Sequence, residues 1–274
     1  MKGFRVGNRE LPIGKRTLVM GILNVTPDSF SDGGHYQTVE RALLHAKKLV
    51  DEGADLLDIG GESTRPGAET VSLDEELARV IPVVKRITSE LDIPVSIDTY
   101  KAQVAKEAIQ SGAHIINDVW GAKKDPLMAS VMSELDVPVI LMHNREVPEY
   151  QDLIADVKKD LQDSIQLVMR AGVKPERIWL DPGIGFAKNL QENVQVMQHV
   201  DQLVEMGYPV LLGTSRKSMI GKILDLPPDE RVEGTLATVG FGIQKGCQIM
   251  RVHDVQETVR FCRMMDTLVY TPLD

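Results

Sequence analysis

The sequence predicts an α/β chain folded as a (β/α)8 TIM barrel, and three observations carry that expectation. Short β-rich apolar runs recur eight times; each is followed by a stretch whose apolar residues fall three and four apart; and the runs are apolar almost throughout instead of alternating. Strands of that kind are buried on both faces, and eight strand–helix units closing on themselves bury them all. A length of 274 residues suits one such barrel over residues 1–274, because the fold typically takes about 250. A doubly wound open sheet would usually carry a GxGxxG turn after its first strand, whereas here the first run leads into NVTPDSFSDGG.

Residues 4–17 precede the first run and are expected to form a short N-terminal hairpin or plug closing the bottom of the barrel. The runs are then LVMGIL at 18–23, DLLDIG at 55–60, PVSID at 94–98, HIIND at 114–118, VPVILMH at 137–143, RIWLD at 177–181, PVLLG at 209–213 and QIMRV at 248–252. Leu43, Leu44, Lys47 and Val50 frame the first helix between Val39 and Glu52. Gly53, Gly112, Gly172 and Gly207 each stand where a helix should stop.

Composition excludes several classes. Hydrophobic residues at 43% and charged residues at 26% describe a globular protein with a sizeable core. With 40 acidic against 31 basic residues the net charge is −9, a field that repels nucleic acid and anionic lipid. No nucleic-acid or membrane partner is therefore expected, and any anion site must be locally basic. The N-terminus lacks the apolar stretch of a signal peptide, and no segment approaches the roughly 20 apolar residues that span a bilayer. Cys247 and Cys262 lack metal-ligand spacing and read as small core residues, reduced as in a cytoplasmic protein.

Barrel enzymes assemble their chemistry at the carboxyl ends of the strands, and here those ends are polar. They supply Asn24, Asp58 with Glu62, Asp98, Asn117 with Asp118, His143, Asp181, Ser215 with Lys217, and Arg251 with His253. Any one of them could simply cap the next helix or close a turn, a role that suits Asp58 and Asp118 best. Eight polar ends together point instead to one concave site. The loops NVTPDSFSDGGHYQT and GGESTRPGAETVS exceed the usual βα connection of about 2–6 residues and read as lids. LLGTSRKSMIGK sets Arg216 and Lys217 at the start of a helix, where anions are favoured. With Arg251 and His253 it marks a phosphate site after the seventh and eighth strands, the usual place in barrels.

MGILNVTPDSFSDGG at 20–34 and DIGGESTRPG at 58–67, followed by DPGIGFAK, GTSRKS and RVHDV, give the chain a resemblance to the dihydropteroate synthase family over essentially its whole length. Exact strings of this length are far more specific than a lone glycine motif. The resemblance implies a transferase of folate biosynthesis, the sulfonamide target, joining 4-aminobenzoate to 6-hydroxymethyl-7,8-dihydropterin diphosphate with release of diphosphate. It implies that Asp181 grips the pterin edge bidentately, that Asn117 and Asp98 complete the nitrogen contacts, and that Lys217 reaches the carbonyl while covering the ring. It assigns Arg251, His253, Arg65 and Asn24 to the diphosphate, with Asn24 helping to hold a Mg²⁺. Asp32 is implied to stabilise the cation left as diphosphate departs, Arg65 and Lys217 acting beside it. Phe30, Thr64, Pro66, Phe186 and Ser218 are implied to surround the aminobenzoate, and a homodimer is implied through outer helices. An apolar stripe of Val259, Phe261, Met264, Met265 and Leu268 could serve that interface or the core.

Two other readings stay open: a pterin-binding barrel of methyltransferase type, and a non-catalytic pterin-binding paralogue. The SRKS and RVHD segments favour the synthase over the first, and the joint presence of Asn24, Asp32, Arg65 and Arg251 favours it over the second. One stretch departs from the family pattern: LMHNREVPEYQDL, after the fifth run, lacks the Gly-Thr-Pro type of turn many members carry there.

Overall fold

A computed structural model describes residues 4–7, 9–25, 35–63 and 70–270 of the chain. The plug is present as an antiparallel hairpin of β1 (Phe4–Val6) and β2 (Arg9–Leu11), with Phe4 opposite Leu11. Eight parallel strands follow: β3 (Leu18–Asn24), β4 (Leu56–Gly60), β5 (Val95–Asp98), β6 (Ile115–Asp118), β7 (Val139–Met142), β8 (Ile178–Asp181), β9 (Leu211–Leu212) and β10 (Ile249–Val252). They neighbour one another in the order β8-β7-β6-β5-β4-β3-β10-β9. A bridge from Leu180 to Val210 closes the ring between β8 and β9.

The expected run at 209–213 shrinks to two residues, for a local reason. Pro209 has no N–H to give the ladder, and the Val210 N–H donates to the Gln248 side chain at 2.7 Å. The Pro209 carbonyl still accepts from Leu180 N–H at 2.8 Å, so the barrel holds there without a longer strand.

Helices α1 (His35–Asp51), α2 (Leu73–Glu90), α3 (Ala102–Gln110), α4 (Met128–Leu135) and α5 (Leu153–Ala171) separate the first six barrel strands. Helices α6 (Leu190–Gln198) and α7 (Asp201–Val204) lead to β9; α8 (Ser218–Leu224) and α9 (Val232–Gln244) lead to β10; α10 (Val255–Tyr270) comes last. The first helix thus starts four residues before the expected Val39. The glycine stops fall where expected. Gly172, at the end of α5, has φ +112°, and an added Cβ would lie 2.6 Å from Ser133 Oγ, so any other residue would strain the backbone and have to displace Ser133.

Two apolar layers follow from strand alternation. Outward residues such as Val19, Leu57, Ile97 and Leu141 pack under the helices. Inward residues Leu18, Met20, Leu56, Ile115, Ile140, Trp179, Leu211 and Ile249 fill the barrel's lower half, and Val6, Leu11 and Ile13 of the N-terminal segment seal it from below. Each fully buried side chain of this kind contributes roughly 1.5–3 kcal/mol. Cys247 and Cys262 are free and buried. Among the described residues no helix is long and apolar enough to cross a membrane.

Candidate active site

Side chains of a strand repeat on one face every second residue, so the sealed lower layer dictates what stands above it. Two residues beyond Leu56, Ile115, Ile140, Trp179, Leu211 and Ile249 come Asp58, Asn117, Met142, Asp181, Gly213 and Arg251. All but Asp58 line a pocket together with Asp98, Val119, Ile184, Phe186 and Lys217. Polar groups therefore sit on an apolar floor and between apolar walls, at the carboxyl end of the barrel.

The polar groups are joined. Arg251 donates from Nε to Asp58 Oδ2 at 2.6 Å and from Nη2 to Asp98 Oδ2 at 2.7 Å. Asn117 Nδ2 donates to the same Asp58 oxygen at 3.0 Å. Asp58 Oδ1 and Asp98 Oδ1 are buried with no hydrogen-bond partner among the described residues, a costly arrangement unless a ligand donates to them. Asp181 Oδ1 accepts from Gly183 N–H at 2.7 Å. Lys217 Nζ lies 4.3 Å from the centroid of the Phe186 ring, so the two form one lip of the pocket.

Burial raises the Asp181 pKa to about 6, against the pull of Gly183 N–H, Lys217, Arg251 and Lys188. Burial likewise pushes Asp98 upward, Arg251 opposing it and Asp58 adding to it. For Arg251 burial works against the charge, but Asp58 and Asp98 more than offset it and hold the guanidinium pKa above its ordinary value. The pocket thus keeps a permanent cation among three carboxylates, two of them raised toward neutrality.

Five residues expected at the pterin and diphosphate come together here: Asp98, Asn117, Asp181, Lys217 and Arg251. Phe186 joins them on the wall. Asn24 ends β3 beside Gly60 of β4, and His253 follows β10, its Nδ1 3.0 Å from Ser215 Oγ. Ser218 is exposed in the first turn of α8, next to Lys217. Phe30, Asp32, Thr64, Arg65 and Pro66, and with them the central parts of both long loops, lie outside the described residues.

Three expectations need correction. Asp58 does not cap a helix: it is fully buried and binds Asn117 and Arg251. Its place two residues beyond inward-facing Leu56 was the available signal. His143 does not enter the pocket, because its ring turns to Asp160 and Lys188 on the far side of β7. Arg216 does not reach the anion region, because Asp254 takes its guanidinium at 2.5 and 3.1 Å. Asp118 does play the bland role, accepting from Trp120 N–H and Ala122 N–H, both at 2.8 Å. The apolar walls Val119, Met142 and Ile184 were missed, since apolar residues at strand ends carry no mark that separates wall from core.

Residues 20–253 match the family described as pterin binding enzyme. The chain is 60% identical over 255 residues to the dihydropteroate synthase of Bacillus subtilis (strain 168), covering 93% of this chain and 90% of that protein. Among solved structures it resembles Xanthomonas albilineans dihydropteroate synthase with 4-aminobenzoic acid, at 44% identity and TM-score 0.93 over 98% of this chain and all of that one. The same enzyme in complex with 7,8-dihydropteroate matches at 42% identity and TM-score 0.91, again over 98% of this chain and 100% of the other.

Proposed function

The chain belongs to the dihydropteroate synthase family, and from that premise we propose that it condenses 6-hydroxymethyl-7,8-dihydropterin diphosphate with 4-aminobenzoate to 7,8-dihydropteroate and diphosphate. The observation that carries the reading is the convergence of Asp98, Asn117, Asp181, Lys217 and Arg251, drawn from five different strand ends, on one pocket. A pterin edge offers adjacent N–H donors beside a carbonyl. Ionised Asp181 accepts from two of those donors, Asn117 and Asp98 meet the remaining nitrogens, and Lys217 donates to the carbonyl. The apolar walls take the faces of the ring.

By the family resemblance Arg251, His253, Arg65 and Asn24 are the residues that hold the diphosphate. The carbon–oxygen bond to the departing diphosphate breaks, and the methylene carbon's positive charge spreads into the pterin. The arylamine nitrogen then forms the new carbon–nitrogen bond and gives its proton to solvent. Catalysis here is mainly electrostatic; the family resemblance assigns Asp32 to stabilising the developing cation and Phe30, Thr64, Pro66, Phe186 and Ser218 to binding the aminobenzoate. An arylamine is neutral near pH 7, so no Ser-His-Asp triad is required.

Among the described residues no three or more His, Cys, Asp or Glu side chains group as a metal site, while Asn24 offers one amide oxygen. That donor set fits Mg²⁺, which keeps several waters and takes the rest of its ligands from substrate phosphates. Asn24 would help to hold the ion, whose charge would offset that building on the leaving diphosphate.

Homodimerisation is supported by the outer face of α10. The apolar stripe divides there: Val259 is buried and Phe261 and Met265 pack on the core, whereas Met264 and Leu268 are 57% and 67% exposed. A cytoplasmic setting is supported by the two free cysteines. The test of the whole reading is diphosphate release with and without 4-aminobenzoate. Release that depends on the amine supports it; release indifferent to the amine, or none, overturns it.

A further inference from the structure

Behind the pocket lies a set of titratable groups that the chemistry above does not use. Lys188, at the end of the turn that follows β8, places its ammonium inside that turn. Nζ is 3.0 Å from Gly183 O, 3.0 Å from Phe186 O and 2.8 Å from His143 Nδ1. The fully buried His143 faces Asp160 Oδ2 through Nε2 at 3.1 Å, and Arg145 Nε donates to the same oxygen at 2.5 Å. Tyr150 Oη ties the outside of the turn by donating to Ala187 O at 2.6 Å. Arg145 and Tyr150 belong to the stretch that departs from the family pattern.

The turn so held carries pocket residues at both ends. Gly183 N–H fixes Asp181 Oδ1, and Ile184 and Phe186 form the wall. Gly183 has φ +68°, and a Cβ there would lie 2.0 Å from His143 O, so the turn has no slack against β7. We propose that Lys188 is a positioning residue for the pterin pocket: its ammonium pins the two ends of the Gly183–Phe186 turn, and the His143–Asp160 pair presents the one imidazole tautomer that allows it.

The donor count supports this. Both carbonyls can only accept, so a protonated Lys188 gives one N–H to each and a third to His143 Nδ1, which must then be a lone pair. That requires the imidazole proton on Nε2, where ionised Asp160 takes it. Burial keeps His143 neutral by drawing its pKa down to about 4. Despite its burial Asp160 stays ionised, held below the ordinary carboxylate range by His143 and Arg145. Burial also draws Lys188 down to about 7, Asp181, Glu192 and Asp160 opposing the fall and Arg145 adding to it. Lys123, on the β6–α4 connection, adds positive charge at His143. A neutral amine has two donors for three acceptors, so the turn loses a tie as the pH rises past that point.

The inference rests on the pterin reading of the pocket. Its test is calorimetric binding of 6-hydroxymethylpterin to the wild type, Lys188→Met and Asp160→Asn across pH. Ionisation of the ligand is common to all three and cancels in the affinity ratios. The wild-type to Lys188→Met ratio should be about tenfold near pH 6 and fall toward one near pH 9, as Lys188 loses its proton. Asp160→Asn frees the imidazole to carry its proton on Nδ1, facing the ammonium, and should bring the wild-type loss of affinity to lower pH. A Lys188→Met deficit constant across pH means that the residue is merely structural, and an absent deficit means that it does nothing; either overturns the inference. If Lys188→Met does not fold, a pH profile of Asp160→Asn identical to the wild type overturns it alone. Wild-type protein that fails to bind the pterin removes both this inference and the reading beneath it.

Discussion

Asp58→Ala probes the contact on which the pocket's charge balance turns. Asp58 is fully buried, and one of its oxygens takes hydrogen bonds from Arg251 at 2.6 Å and Asn117 at 3.0 Å. Removing the carboxylate leaves a largely buried guanidinium with one hydrogen-bonded carboxylate instead of two. Loss of a partner from a buried ion pair costs about 3–5 kcal/mol, and the low end applies because Asp98 keeps Arg251 Nη2 at 2.7 Å. The stranded Asn117 amide adds about 1 kcal/mol, for a total near 4 kcal/mol. Asp58→Asn separates charge from hydrogen bonding: its amide oxygen still accepts from both donors, so the expected cost is about 1–2 kcal/mol. Urea unfolding with an unchanged m-value reads both variants. An alanine variant within about 0.5 kcal/mol of the wild type would refute the claim that this bridge holds Arg251. An asparagine variant as unstable as the alanine one would show that charge, not hydrogen bonding, carries the effect.

Three further outcomes are expected. Asp181 must be ionised to accept two pterin N–H groups, and with its pKa raised to about 6 the affinity for 6-hydroxymethylpterin should fall as the pH drops through that value. A profile flat from about pH 5 to about pH 7 would contradict the assignment. Arg251→Ala should weaken binding of the pterin diphosphate ester far more than that of the bare alcohol; equal losses in parallel titrations would remove its phosphate role. His143 has a folded pKa of about 4 against an ordinary 6.5, so below the ordinary value the unfolded chain takes a proton that the folded one refuses. Stability should therefore fall as the pH goes from about 6.5 to about 4, by about 3 kcal/mol at 1.36 kcal/mol per unit. His143→Gln should lack that share of the acid loss in urea titrations at each pH, and an unchanged pH dependence would count against a buried neutral imidazole.

Much of this was legible before any fold was known, because it is local. Eight apolar runs, the glycines that end helices and the hairpin ahead of the first run depend on spacing and backbone preference within a few residues. The polar strand ends named Asp98, Asn117, Asp181, Lys217 and Arg251 in advance, since a barrel brings its carboxyl ends to one rim. What the linear pattern left open was direction. His143 and Asp181 both end apolar runs, yet one ring turns outward to Asp160 while the other carboxylate turns in. The Arg216 beside Lys217 is claimed by Asp254, 38 residues on.

Only closure of the barrel decided the rest. Asp58 reads as a helix cap in its own segment, and its partner Arg251 stands 193 residues away. The two meet because only β3 lies between their strands in the ring, Arg251 pairing with Met20 and Asp58 with Ile22, and both side chains point into the barrel. A side chain's charge and size are written at its position, but its partners are set by register around the ring, a property of all eight strands together.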